Sequence, residues 1–147
     1  MNIIKRTHLL LAVAGFWLWI GAAPHAADVT GDVKVIANPS VSVSEISTDD
    51  LKAVFLAVKT TIAGTQVEPV LGKSGRAHDV FLKTYLGKSD ATLIAYFRGL
   101  VFTGKASMPK SCDSDAEIIA YVAKTRGAVG YVSAGAAAQG TKTLAVK

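Results

Sequence analysis

The stretch 67–87, VEPVLGKSGRAHDVFLKTYLG, limits what this chain can fold into more than any other. It reads as strand, loop, helix. Val67, Pro69, Val70 and Leu71 form a short apolar run bounded by turn residues, as a buried strand does. Gly72-Lys73-Ser74-Gly75-Arg76 is the loop. Ala77, Val80, Phe81 and Leu86 then recur at helical spacing, with Tyr85 beside them. Gly87 stands where a helix C-terminal glycine belongs. A strand that feeds a helix through a short loop is the building unit of a layered α/β domain.

The same loop is the chemical focus of the sequence. A glycine-bearing turn ahead of a helix offers free backbone N–H groups and the positive end of the helix dipole, which suits an anion. Lys73 and Arg76 add charge, and a guanidinium holds an oxyanion through two parallel N–H groups. The candidate ligand-binding residues are therefore Lys73, Ser74, Gly75 and Arg76. An ordinary strand–helix connection with Ser74 as the cap has the same pattern.

The flanking elements follow from periodicity and caps. Residues 33–37, VKVIA, predict a strand that Asn38-Pro39-Ser40 ends. Residues 41–46 predict an extended linker with solvent-facing serines. Ser47 with Asp50 three residues on is a capping-box pattern. It opens a helix whose apolar face is Leu51, Val54, Phe55 and Val58. Residues 59–66 predict a loop. Ser89-Asp90 starts another helix, with Leu93, Ile94, Phe97, Leu100 and Val101 inward and Phe102-Thr103-Gly104 closing it. Residues 105–111 predict a polar loop. Ser114 to Glu117 is a second capping box, and Ile118, Tyr121 and Val122 face inward. Lys124 and Arg126 fall in the last turn, where the dipole favours cations, and Gly127 ends it. Residues 128–133, AVGYVS, predict a strand in which Gly130 marks a bulge or the close approach of another backbone. Residues 134–140 predict a small, flexible link, and 141–146 a last edge strand. Alternating strands and helices imply an α/β domain with a largely parallel sheet.

The N-terminus is a different kind of segment. Lys5 and Arg6 precede an uncharged run, LLLAVAGFWLWIGAA, and small residues lead to Asp28. That is the pattern of a secretory signal peptide over residues 1–27. The apolar run is shorter than the roughly 20 residues a membrane span needs, although an uncleaved anchor has a similar look. Cleavage after Ala27 places His25 three positions back, and cleavage after Ala26 places Pro24 there; the former is favoured. The expectation is export to the periplasm, with residues 28–147 as one domain.

Composition removes several function classes. The chain carries a net charge of +5, and loss of Lys5 and Arg6 with the leader lowers it to +3. The basic residues are dispersed, which argues against nucleic acid. Cys112 is the single cysteine, so no internal disulfide can form. His8 and His25 leave with the leader and His78 stands alone, so neither a metal set nor a serine–histidine–acid arrangement emerges. No catalytic residue, metal or cofactor is expected.

Further residues carry a resemblance. Val35-Ile36-Ala37-Asn38-Pro39, leading to Ile46-Ser47 and Leu51-Lys52-Ala53-Val54-Phe55-Leu56, is similar to the phosphate-binding proteins of ABC transporters and their small single-domain relatives. Phe102-Thr103-Gly104, Met108-Pro109 and Gly127-Ala128-Val129-Gly130-Tyr131-Val132 resemble the C-terminal half of that family, and the match covers about residues 33–133. Ser74-Gly75 corresponds to the start of the family's Ser-Gly-Thr ligand loop, with Arg76 in place of threonine. The resemblance implies a three-layer α/β fold of the periplasmic binding protein type (type II), present as a single lobe with a mostly parallel mixed sheet. It implies phosphate or a similar oxyanion as ligand, and a membrane transporter, receptor or sensor as partner. A lone lobe makes few ligand contacts, so affinity near the millimolar range, about −4 kcal/mol, is expected. Two copies in a homodimer would supply two faces to a cleft. The alternative is a non-enzymatic interaction module that keeps the lobe without a ligand.

Overall fold

The computed structural model describes residues 32–147; the signal peptide assigned to 1–27 lies outside the described residues. The elements in order are β1 (Val33–Ala37), β2 (Glu45–Ile46), α1 (Thr48–Phe55), β3 (Thr61–Ile62), β4 (Thr65–Gln66), β5 (Glu68–Gly72) and α2 (Arg76–Phe81). A π-helical turn, Leu82–Leu86, extends α2. Then come α3 (Asp90–Phe102), β6 (Lys110–Cys112), α4 (Asp115–Lys124), β7 (Ala128–Ser133) and β8 (Lys142–Val146).

The main sheet has the order β2-β8-β1-β7-β5-β6. Strands β5, β6 and β7 are parallel to one another, and β2 is parallel to β8. Strand β1 runs against both its neighbours, with Ile36 opposite Gly130 and Thr143. The sheet is thus mixed and mostly parallel.

Period-two alternation divides the core into two layers. Val33, Val35 and Ala37 of β1, Val129 and Tyr131 of β7, and Leu71 of β5 face one side. There they pack with Leu51, Val54 and Phe55 of α1, Phe81 of α2, and Leu93 and Phe97 of α3. Ile36, Val70, Ala128 and Val132 face the other side, where α4 covers them with Ile118 and Val122. Helices on both faces of the sheet make three layers. They explain why β1 and β7 read as continuous apolar runs.

Ser47 caps α1, its Oγ accepting from the Asp50 N–H at 3.1 Å. Ser89 and Ser114 do the same for α3 and α4, accepting from Thr92 and Glu117. Glu117 reaches back to accept from the Asp113 N–H at 2.8 Å. Ser47→Ala is expected to lower the unfolding free energy by about 1 kcal/mol, within the usual range for a lost cap. A urea midpoint that does not move would contradict this.

Several expectations are corrected. Helix α1 stops at Phe55, and Ala57 turns away at a φ of 55°. Val58 therefore leaves the apolar face and is 73% exposed. The expected 59–66 loop contains the β3–β4 hairpin, with Ile62 opposite Thr65. The end of the expected 105–111 loop enters β6, which pairs with β5. Strand β8 is not an edge, because β2 covers its outer side. Gly130 stands in unbroken register opposite Ile36, so there is no bulge. What approaches it is α4: a Cβ there would lie 2.8 Å from Ile118 Cγ2. The link 134–140 is partly packed, with Ala136 and Ala138 against the α4 layer.

Candidate functional site

Strand β5 ends between β6 and β7, and the chain leaves it onto one face while α4 later covers the other. This is the switch point of the sheet, where open α/β proteins hold ligands outside the carboxyl ends of their strands. The 72–76 loop occupies that place. Gly75, at a φ of 104°, turns the chain into α2 and caps it without a side chain. Ser74 is therefore not the helix cap. The Lys73 N–H donates to the Cys112 carbonyl at 3.0 Å, tying the loop to the end of β6. Among the described residues, the Ser74 and Gly75 N–H groups donate to no protein acceptor. Ser74, Gly75, Ser114 and Ser133 line a small cavity of about 110 Å³ beside them.

Lys73, Ser74, Gly75 and Arg76 are thus gathered at one strand end, but their charges are already matched. Lys73 Nζ lies 2.9 Å from Asp113 Oδ1. This hydrogen-bonded carboxylate raises the Lys73 pKa above its ordinary value. Arg76 places Nε and Nη2 on the single oxygen Oδ2 of Asp32, at 2.8 and 2.5 Å. Both pairs are solvent-exposed, so water and salt screen them and each contributes little.

Beneath the loop runs a buried polar chain that has no counterpart in sequence spacing. The Gly72 N–H donates to Tyr131 Oη at 2.9 Å. Tyr131 Oη lies 2.7 Å from His78 Nδ1, and His78 Nε2 lies 3.0 Å from Asp90 Oδ1. A carboxylate only accepts, so Nε2 carries the proton. In the neutral ring Nδ1 then accepts from the Tyr131 hydroxyl, and every group in the chain has a partner. Burial pushes the Tyr131 phenol well above its ordinary range, the Gly72 N–H pulls the other way, and the Asp90 charge adds to the rise. It stays a hydrogen-bond donor. The Tyr131 ring stacks on Phe81 at 3.8 Å between centroids, and Phe55 packs beside both.

His78 is 3% exposed and both its nitrogens are occupied. It anchors the strand end through the Tyr131 hydroxyl. Cys112 is buried, which pushes its thiol up and disfavours the reactive thiolate. Among the described residues, no group of three or more His, Cys, Asp or Glu side chains could hold a metal ion. No helix among them is long and apolar enough to cross a membrane.

No protein-family model matches the sequence, and no curated protein matches it. Solved structures do match. One is an ABC-type phosphate transport receptor from Vibrio cholerae, with 13% identity, a TM-score of 0.59, and coverage of 78% of this chain and 46% of that one. A second is a phosphate ABC transporter substrate-binding protein with bound phosphate from Clostridium perfringens, at 15% identity and a TM-score of 0.61 over 78% and 44%. A third is PstS from Borrelia burgdorferi, at 15% identity and a TM-score of 0.56 over 79% and 47%. This chain therefore spans about half the length of the structures it matches, and over that half it has the fold of phosphate ABC transporter substrate-binding proteins.

Proposed function

We propose that the chain is an exported solute-binding lobe, working in the periplasm, that takes phosphate or a similar oxyanion at Lys73, Ser74, Gly75 and Arg76. It serves phosphate transport or sensing together with a membrane transporter, receptor or sensor protein. The observation that carries this reading is the fold match to phosphate-binding proteins, one of them with phosphate bound. The position of the loop at the sheet's switch point supports it, as do the uncommitted N–H groups of Ser74 and Gly75. The exposed pairs with Asp113 and Asp32 are weak, so exchanging a carboxylate for a bound oxyanion costs little. The structures it matches are substrate-binding proteins, so the reading is of a binder and not an enzyme.

Titration calorimetry of the purified protein with phosphate in phosphate-free buffer, with sulfate as control, tests this. The expected result is saturable heat with a dissociation constant near the millimolar range, as few hydrogen bonds are made. Ser74→Ala and Arg76→Ala should each weaken it several-fold. Binding that is unchanged in both variants removes the site assignment, and no heat at all removes the ligand.

One observation favours a second reading. Phe102 is 93% exposed at the end of α3, with Val101 at 45% and Met108 at 52% close by in sequence. Exposed apolar groups of this size suit a protein contact. On this reading the lobe is an interaction module or a homodimer. Size-exclusion chromatography showing a monomer that elutes alone, together with phosphate binding, excludes it.

A further inference from the structure

A roomy cavity lies at the opposite end of the sheet from the 72–76 loop. It has a volume of about 720 Å³ and is lined largely by residues just before β5, β6 and β7 or at their first positions. Those strands are parallel. The length of β5, about 16 Å at the usual rise per residue, therefore separates the cavity from the loop. The volume falls within the range of about 300–1,000 Å³ typical of small-molecule sites.

Its lining divides by chemistry. Lys105, Lys110 and Arg126 contribute three cations. Glu68 is the one carboxylate, and it accepts a hydrogen bond from the Tyr121 hydroxyl at 2.7 Å. Lys110 sits over the Tyr121 ring at 5.5 Å. Among the described residues, Lys105, Lys110 and Arg126 form no ion pair, unlike Lys73 and Arg76. Val67, Phe97 and Met108 supply an apolar wall. Lys105 and Arg126 each follow the C-terminus of a helix, α3 or α4, where a cation complements the dipole. That accounts for a cation at each helix end. It does not account for both lining, with Lys110, one apolar-walled hollow.

We propose that this cavity is a second binding site, for an organic anion with an apolar body: an acidic head held by Lys105 and Arg126, and a hydrocarbon or aromatic part against Phe97 and Met108. A guanidinium and an ammonium that lack protein partners give the head charge-assisted hydrogen bonds. Burial of the body adds a hydrophobic contribution that inorganic phosphate cannot make.

The probe is 8-anilinonaphthalene-1-sulfonate, compared with N-phenyl-1-naphthylamine, the same ring system without the sulfonate. Trp17 and Trp19 lie within residues 1–27, so in a protein without that segment probe fluorescence is read against tyrosine alone. The sulfonate should bind saturably at one site, at least about tenfold tighter than the neutral amine. Lys105→Gln and Arg126→Gln should each lower its affinity by about tenfold, while Lys105→Arg retains it. Arg76→Gln and millimolar phosphate should leave it unchanged, which separates this site from the loop. Circular dichroism confirms that each variant is folded; should Arg126→Gln fail to fold, the pair Lys105→Gln and Lys105→Arg decides. Equal binding of the two probes, indifference to Lys105, or loss with Arg76→Gln overturns the proposal.

Discussion

Tyr131→Phe is expected to lower the unfolding free energy by about 2–6 kcal/mol, although it removes a single oxygen. The ring is kept, so the stack on Phe81 survives. What is lost is the hydroxyl that accepts from the Gly72 N–H and donates to His78 Nδ1. Two polar groups are then left without partners, and each such group costs about 1–3 kcal/mol when buried. His78→Leu removes the ring from the same chain, and the two losses overlap. The double variant should therefore fall short of additivity by about 0.5–3 kcal/mol, as coupled neighbours do. Gly72 begins the candidate loop, so weaker phosphate binding should accompany the loss of stability if the loop is the site. Urea denaturation of the four proteins measures both effects. Strict additivity, or a Tyr131→Phe cost below about 0.5 kcal/mol, would mean that the chain does not hold the strand end.

The helices and the longer strands were legible because their signals are local, whereas the three-layer arrangement rested on the family resemblance. Ser47, Ser89 and Ser114 sit at helix starts with partners three residues on, and the structure has each as a cap. The apolar runs of β1 and β7 reflect burial on both faces. Strands of two or three residues, such as β2, β3, β4 and β6, are too short to display a period, and only pairing with distant chain makes them strands. Val58 has the right spacing for the α1 face, but Ala57 ends the helix in a left-handed turn that the spacing does not reveal.

The 72–76 loop was legible in place but not in charge balance. The loop stands at the end of β5 as its composition implied. Asp113 and Asp32, which neutralise Lys73 and Arg76, come from 40 and 44 residues away. No periodicity links residues so far apart. The Asp90–His78–Tyr131 chain is hidden for the same reason, since its members are 12 and 53 residues apart. One clue was present: a histidine among Ala77, Val80 and Phe81 on a buried helix face needs polar partners. The sequence could not name them.

Gly127→Ala is expected to be among the most damaging single-methyl additions in the protein, at about 2–5 kcal/mol. Gly127 has a φ of +76°, in the left-handed region that costs an L-residue about 1–2 kcal/mol. The added Cβ would also lie 2.2 Å from the Gln66 carbonyl oxygen, and forcing such a contact apart costs about 1–3 kcal/mol more. The obstacle is backbone, and neither side can yield freely. The Glu68 N–H donates to the Gly127 carbonyl, the Val67 N–H to Thr60, and the Gly127 N–H to Ser40 Oγ. These bonds fix the point where β5 and β7 begin to pair, so relieving the clash means opening the centre of the sheet. Gly99→Ala is the control. Gly99 lies within α3 with open space where its Cβ would stand, so helix propensity alone should act and stabilise by up to about 1 kcal/mol. Thermal or urea midpoints that move in opposite directions for the two variants would locate the damage in the β5–β7 junction. A Gly127→Ala protein as stable as the parent would mean that the junction relaxes, and that the contact between Gln66 and Gly127 does not hold the sheet together.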